Sequence, residues 1–198
     1  MARQKALRDW LYLFIIGTQL FGMLALDLVA FYPKSLYQSP ASPLHFLLSL
    51  RDLYVSSTGD PFFAHDSHQP WFQIFLYIEG LVQLPLAAYL VSQLASKRAT
   101  SGPAELAGLA FGSVTFMGAA ACCFELLHMG ADMVSEDKKA SLLYGTYLPF
   151  AVIRKSPCYF LLPGICFWLT GVAALLAVDM YLRLLPRVRE SDAKAKTQ

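Results

Sequence analysis

The sequence contains no asparagine, and only 15% of its residues are charged. Without asparagine there is no acceptor for N-linked glycosylation. The net charge of +2 is too small and too scattered for a surface that binds nucleic acid. The cysteines have neither a paired framework nor the spacing of metal ligands, so we expect buried free thiols, no metal and no cofactor. They are Cys122, Cys123, Cys158 and Cys166.

Apolar residues dominate the chain instead. They make up 56% of it, and the mean hydropathy of +0.45 is typical of a small polytopic membrane protein. Apolar runs of membrane-spanning length cover residues 10–31, 71–94 and 104–127, and a fourth, interrupted run covers 142–185. Residues 44–54 have the pattern of a short amphipathic helix. We therefore predict an all-α, four-helix transmembrane bundle with a short amphipathic helix on the luminal side.

The distribution of lysine and arginine predicts the orientation of this bundle. With an even number of spans, ten basic residues lie on one side of the membrane and four on the other. Because basic residues accumulate on the cytosolic side, we expect both termini there. The chain then divides into a cytosolic N-terminus (1–9), a membrane domain (10–185) and a basic cytosolic tail (186–198). We expect the tail to be disordered.

Two acidic residues inside the spans mark a candidate site. Glu79 lies about nine residues into the second span, where a carboxylate costs on the order of 3 kcal/mol on insertion scales. Gln83 shares its helix face, and Pro85 releases a backbone carbonyl and predicts a kink. Asp27 lies at a similar depth in the first span, although alone it could be a helix-end carboxylate that reaches the headgroups. We expect Asp27 and Glu79 to pair and share one proton.

Aromatic residues near this pair predict the walls of a pocket. A carboxyl pair can accept a cationic amine or hydrogen-bond a hydroxyl, while aromatic walls enclose an apolar body. The pattern predicts an amphipathic ligand with a rigid apolar body and one polar end, such as a sterol. The lining residues would be Phe72, Phe75, Tyr77, Tyr147 and Phe150.

Six short motifs occur in order along residues 8–153. They are Asp27-Leu28, Tyr32-Pro33-x-x-Leu36-Tyr37, Asp60-Pro61, Trp71-Phe72, Glu79-x-x-x-Gln83-Leu84-Pro85 and Tyr147-x-Pro149-Phe150. This set resembles the sigma-2 receptor (transmembrane protein 97) family of the EXPERA domain superfamily, which also contains the sterol Δ8-Δ7 isomerases. The resemblance implies a four-helix bundle in the endoplasmic reticulum with a lipid-accessible pocket. By resemblance, Asp27 contacts the ligand, Glu79 holds Asp27, and Asp60 is a structural cap in the luminal loop.

One departure from that family bears on catalysis. Family members often carry polar side chains in the third span, where this chain offers only Ser113 and Thr115. Sterol isomerisation needs an acid and a separate base, and two acids that hold each other separate those roles poorly. We therefore expect a protein that binds a sterol or similar lipid in the membrane and serves lipid homeostasis or membrane-protein trafficking, without being an enzyme.

Other hypotheses remain open. The alternatives are an isomerase-like enzyme that uses the Asp27–Glu79 pair and a structural component of protein quality control in the endoplasmic reticulum. The sequence also leaves open a second membrane protein as partner, and a homodimer. In the tail, Lys194 and Lys196 have the spacing of a cytosolic lysine-type retrieval signal to the endoplasmic reticulum, which a receptor reads.

The interval 154–173 interrupts the fourth span. It would place Arg154 and Lys155 in the middle of the bilayer. Its codons can contain a splice donor, C-GTAAGT, at Arg154-Lys155-Ser156, and an acceptor, GTAG-CN, at Val172-Ala173. Removing what lies between them would join Ile153 to Ala174 through one proline and shorten the chain by 19 residues. We hypothesise a retained intron, against the alternative of a lineage-specific insertion.

Overall fold

The computed structural model describes residues 7–64, 69–130, 133–143 and 169–195, and within these ranges all regular secondary structure is helical. The predicted all-α, polytopic fold class is therefore confirmed. In the described part of the chain, three stretches are long and apolar enough to cross a membrane. They are Leu7–Asp27, Pro70–Ala95 and Gly102–His128, which correspond to the first three predicted spans.

The described residues form eight α-helices. In order they are α1 (Leu7–Gly22), α2 (Phe46–Thr58), α3 (Pro61–Ala64), α4 (Pro70–Ile78), α5 (Leu84–Ala95), α6 (Gly102–His128), α7 (Glu136–Leu142) and α8 (Leu169–Ala195). A π-helical turn, Met23–Asp27, extends α1, and a second, Glu79–Gln83, joins α4 to α5 into one span. Two 3₁₀ turns, Val29–Phe31 and Lys34–Leu36, follow the first span.

Two sequence expectations about helix ends have different outcomes. The amphipathic helix predicted at 44–54 is present as α2, and it ends at Gly59, which has a φ of 67° and donates its N–H to the carbonyl of Val55. The expectation of a disordered tail is wrong for the described residues, because α8 continues through Pro186 to Ala195. Helix α8 therefore extends ten residues beyond residue 185, where the sequence indicated that the membrane segment ends.

Helices α6 and α8 pack together closely because α6 presents glycines to α8. A Cβ atom on Gly112 would lie 2.5 Å from the carbonyl oxygen of Ala173 and 3.2 Å from the Cβ of Ala177. A Cβ atom on Gly108 would lie 2.9 Å from the Cγ of Met180. The sequence pattern Gly108-x-x-x-Gly112 predicts this close packing, and the structure confirms it, since only glycine admits backbone contact at this distance.

An ion-pair cluster holds the end of the bundle where α1 and α6 begin, which we call the terminal face. Arg183 of α8 lies 2.7 Å from Asp9 of α1 and 2.7 Å from Asp179 of its own helix. Asp179 in turn accepts from Arg8 at 2.7 Å, and Asp9 accepts from the hydroxyl of Thr100 at 2.9 Å. The side chains of Asp9 and Arg183 are only 3% and 11% exposed, so this cluster ties α8 to α1 in a nearly dry environment.

A second ion pair on the same face joins α8 to α6. The guanidinium of Arg187 lies 3.0 Å from Glu105, which is almost completely buried in the first turn of α6. Arg187 also donates to the backbone carbonyl of Thr100 at 3.3 Å. The spacing of Asp179, Arg183 and Arg187, four residues apart, places all three on one face of α8. These contacts hold α1, α6 and α8 side by side at the terminal face. The candidate site lies in the opposite half of the bundle.

We predict that Gly112→Ala lowers the thermal midpoint of the purified protein. The new methyl group cannot fit without moving the backbone of α8, and such overpacking typically costs about 1–3 kcal/mol. Gly17→Ala is the matched control, because nothing lies within 4 Å of the position that its Cβ would take. Equal midpoints for the two variants in mild detergent would contradict the close contact between α6 and α8.

We also predict that Arg183→Met destabilises the protein by about 3–5 kcal/mol, because it leaves Asp9 and Asp179 buried without their shared cation. Adding Asp9→Asn to that variant should recover part of the loss, as a double-mutant cycle measured by chemical or thermal unfolding would show. Arg98→Met, at an exposed position, is the control for loss of a positive charge. A fully additive cycle would rule out the coupling.

Candidate functional site

Asp27 and Glu79 are brought together in the half of the bundle opposite the terminal face. Their side chains are hydrogen-bonded to each other, and both are partly buried. A hydrogen bond between two carboxyl groups requires that one of them carries a proton. The structure thus contains the contact that the sequence predicted between the first and second spans.

Each of the two acids lies in a π-helical turn, Asp27 at the end of one and Glu79 at the start of the other. In the second span, the N–H of Leu84 bonds to the carbonyl of Glu79, five residues back. Pro85 follows directly, and as it has no N–H it is tolerated in the first turn of the resumed α-helix. Where the sequence predicted a kink at Pro85, the structure has a π turn, a feature that is frequent at functional sites.

The π turn of the first span has a compensating contact from Tyr32. Leu28 donates its N–H to the carbonyl of Met23, which deprives the carbonyl of Leu24 of its usual α-helical donor. The hydroxyl of Tyr32 donates to this Leu24 carbonyl at 2.8 Å. Burial raises the pKa of Tyr32 above its ordinary value, so the hydroxyl keeps the proton that it donates. Tyr32 thereby stabilises the turn that carries Asp27.

Gln83 lies one turn further towards the terminal face and faces a different neighbour from Glu79. Its side-chain oxygen accepts a hydrogen bond from the hydroxyl of Thr115 at 3.1 Å, and this hydroxyl also accepts from the amide of Gln19 at 3.4 Å. Gln83 is only 6% exposed. The sequence predicted Gln83 as part of the pocket wall, and the structure places it in a polar chain that joins the first three spans.

An aromatic cluster lies at the loop face, the end of the bundle that carries Tyr32 and Pro70. Phe72 stacks on Phe62 of α3, with ring centroids 5.1 Å apart, and Trp71 lies edge-on to both. Phe75 lies 6.3 Å from Trp71 and touches the Gly118 position of α6. Of the predicted lining residues, Phe75 is half-buried, whereas Phe72 is 7% exposed and packed on both sides.

Phe62 and Phe72 belong to a larger group of buried residues that we call the loop-half cluster. It contains residues from α3, α4, α6 and the segment around α7. Its members are Phe62, Phe72, Leu76, Cys122, Cys123, Leu126, Val134, Leu142 and Leu143. The two described cysteines are free thiols in this cluster, as the sequence indicated.

Asp60 supports the connection between α2 and α3. It is completely buried, and it accepts hydrogen bonds from the hydroxyl of Tyr54 at 2.8 Å and from the N–H of Phe62 at 3.0 Å. The bond to Phe62 satisfies a free N–H at the start of α3, which is how an N-terminal cap acts. Asp60 thus positions Phe62, and through it the aromatic cluster of the loop face.

Other predicted residues lie elsewhere. Tyr147, Phe150 and Lys196 are outside the described residues, and Lys194 is exposed near the end of α8. Sequence reasoning did not assign the partners of Gln83 or the ion-pair cluster of the terminal face. The four-residue spacing of Asp179, Arg183 and Arg187 was a usable signal for that cluster.

We predict that Glu79→Leu destabilises the protein by about 1–3 kcal/mol, because the carboxyl of Asp27 loses its hydrogen-bond partner in an apolar site. Glu79→Gln should cost less, since its amide can still donate to Asp27. The measurement is the thermal midpoint of each variant in mild detergent. Identical midpoints for the Leu and Gln variants would mean that the hydrogen bond to Asp27 contributes nothing.

Comparison with known proteins identifies a superfamily but no individual relative. The family model for EXPERA, the expanded EBP superfamily, matches residues 46–169, more than half of the chain. The matched segment includes Asp60, Glu79, Gln83 and Pro85, whereas Asp27 precedes it. No curated protein and no solved structure matches the chain.

Proposed function

Because the chain belongs to the EXPERA superfamily of membrane proteins, we propose that it binds a sterol or a similar amphipathic lipid at the Asp27–Glu79 pair. The superfamily includes a sterol isomerase and sigma receptors. The narrower likeness to the sigma-2 receptor family rests on the motifs described above. Within the proposal, the protein serves sterol or lipid homeostasis, or the trafficking of another membrane protein.

The composition of the acid pair carries this proposal. The ion-pair cluster of the terminal face matches arginines with acids, whereas Asp27 and Glu79 are two acids joined to each other. Among the residues that the structure describes, no basic side chain forms a salt bridge with either of them. Such a pair has acceptor oxygens left for a hydroxyl, and a negative charge left for an ammonium group.

The surroundings of the pair support an amphipathic ligand. Leu28 follows Asp27 directly, Leu76 lies about one helical turn before Glu79, and both leucines are buried. The aromatic rings of Trp71 and Phe75 lie in the same half of the second span. A ligand whose polar end reaches the acids would therefore place its body among apolar side chains or lipid. This is the pattern of a lipid with one polar end.

An isomerase would need more than this pair supplies. Protonation of an alkene and removal of a proton from another ring carbon require two groups at different places on the sterol. The hydrogen bond between Asp27 and Glu79 holds both groups at one place. We therefore propose binding as the function, and conversion of a Δ8 sterol to its Δ7 isomer by the purified protein would favour the enzyme instead.

The proposed location is the membrane of the endoplasmic reticulum, with the terminal face towards the cytosol. The motifs shared with the sigma-2 receptor family support the compartment. The excess of lysine and arginine near the terminal face supports the orientation.

We predict that Asp27→Asn weakens binding of a 3-aminosterol at least about tenfold and binding of the corresponding 3-hydroxysterol less. An amide can still hydrogen-bond a hydroxyl, but it removes the charge that holds an ammonium group. The measurement is equilibrium binding of both sterols to the purified protein in mild detergent or nanodiscs.

Asp52→Asn is the matched control, because Asp52 is an exposed acid on α2. It should bind both sterols as the unaltered protein does. If Asp27→Asn leaves the affinity for the aminosterol unchanged, Asp27 does not contact the polar end of the ligand.

A further inference from the structure

Helix α2 packs against the first span next to Asp27. It contacts the π turn Met23–Asp27 directly. Leu47 of α2 is buried in a small cluster with Ala25 and Val29, and Leu50 packs on the edge of this cluster. Ala25 and Val29 lie two positions before and two positions after Asp27. The inner side of α2 therefore supports the turn that carries this acid.

Polar contacts of α2 support the second part of the candidate site. Arg51 donates to the backbone carbonyl of Phe63 at 3.1 Å, and the hydroxyl of Tyr54 donates to Asp60 at 2.8 Å. Both acceptors lie at α3, which carries part of the aromatic cluster. One helix thus connects the acid-bearing turn of the first span to the aromatic cluster of the loop face.

The contact with the π turn gives the depth of α2 in the membrane. The guanidinium groups of Arg8 and Arg187 are half-exposed at the terminal face, which places that face in the headgroup region. From Asp9 at this face, Met23–Asp27 lies 14–18 positions further along the first span, or about 21–27 Å, and a tilt would shorten the distance across the bilayer. Because the hydrocarbon core is about 30 Å thick, the side of α2 that touches this turn lies inside the core, near its far boundary.

Beside its inner side, α2 carries a row of apolar side chains that we call the outer stripe. Its members are Phe46, Leu50 and Leu53. With about 100° between successive helix residues, the three fall within about 60° of one another around the helix. Phe46 and Leu53 are 58% and 64% exposed, while Leu50 contacts the cluster on the first span. The outer stripe is therefore an apolar surface that begins at the first span and turns away from the protein.

A third face of α2 is polar. Ser49, Asp52 and Ser56 are exposed, and they also fall within about 60° of one another. This polar face is about 160° away from the side that packs on the protein, and the outer stripe lies between the two. A helix at the edge of a membrane bundle has this order when protein lies below it, water above it and lipid beside it.

We propose that the outer stripe of α2 is inserted among lipid acyl chains at the loop face, and that this contact holds the Asp27 turn and the aromatic cluster in place. The occupant of the stripe is lipid because the stripe carries no charge and lies beside a turn at hydrocarbon depth, while the charge of Asp52 lies on the polar face. The bilayer thereby regulates the candidate site, since withdrawing the stripe from lipid also displaces the turn that carries Asp27. This regulatory part rests on the function proposed above.

Fluorescence quenching tests where the outer stripe lies. Leu53→Trp places a tryptophan on the stripe, and its matched control, Asp52→Trp, places one at the neighbouring position on the polar face. Each variant is reconstituted in phosphatidylcholine nanodiscs with and without bromine on the acyl chains, and the emission of the unaltered protein, with its three tryptophans, is subtracted. We expect bromine to reduce the added emission at least about twofold for Leu53→Trp and hardly at all for Asp52→Trp. Iodide in the water should quench the two variants in the reverse order.

Quenching of Leu53→Trp by iodide and not by bromine would overturn the inference, because it would place the stripe in water. Protection from both quenchers would also overturn it, because a protein surface, such as a second copy of this chain, would then cover the stripe. Phe46→Trp exchanges one aromatic side chain for another on the same stripe, so it provides the same test if Leu53→Trp does not fold.

Removing the outer stripe tests its effect on the candidate site. A double variant, Phe46→Ser with Leu53→Ser, replaces the exposed apolar side chains of α2 and leaves Leu47 on its inner side. We expect its affinity for cholesterol, used as the 3-hydroxysterol probe in nanodiscs, to fall at least about threefold. Leu127→Ser, which replaces an exposed leucine on α6, is the matched control and should bind cholesterol as the unaltered protein does.

The two measurements separate this inference from the proposed function. If quenching is as expected but the unaltered protein binds no sterol, the proposed function is wrong and the insertion of α2 stands. If quenching is as expected and the double variant binds cholesterol as tightly as the unaltered protein, regulation by the bilayer is wrong. Quenching of the stripe by iodide together with unchanged cholesterol binding leaves the function standing and removes the inference.

Discussion

A polar side chain inside a bilayer has no water to bond with, so it must find its partner within the protein. In the described part of this chain, the polar groups between the helices meet this constraint in three layers. The ion-pair cluster closes the terminal face, the Gln19–Thr115–Gln83 chain crosses the middle, and the Asp27–Glu79 pair lies beyond it. The ion-pair cluster ties α8 to α1, the middle chain joins the first three spans, and the acid pair joins the first two, so together the layers define which helices are neighbours and at what height.

The layers differ in how complete they are. At the terminal face, Arg8 and Arg183 are paired with Asp9 and Asp179, so the positive and negative charges balance without any other molecule. Removing one member of such a buried network leaves an uncompensated charge, so the network disfavours other arrangements of these helices. The pair of Asp27 and Glu79 has no such balance, which is why we assign the ligand to this layer.

The sequence predicts the fold class, the first three spans and the contact of the two acids because each follows from a local pattern. Run length predicts a span, an acid within a run must face a partner, and Gly108 and Gly112 predict close packing. Which polar side chains pair with each other does not follow from a local pattern. Thr115 contacts Gln83, and Arg183 contacts Asp9, only once the helices are placed side by side. The hydroxyl of Tyr32 could not be assigned either, because the carbonyl that it satisfies is exposed by a π turn with no proline beside it.

The π turn in the second span also changes which neighbours that span can have. A π turn holds about one residue more than an α turn, so side chains on either side of it are offset by about 100°. Accordingly, Phe72 and Leu76 of α4 are buried towards α3 and α6, whereas Ala87, Leu90 and Leu94 of α5 are buried towards α1. One span thus belongs to two packing units, one in each half of the bundle. A sequence change on one side of the turn therefore acts first on the neighbours of that side, while α6, which is buried in both units, connects the two.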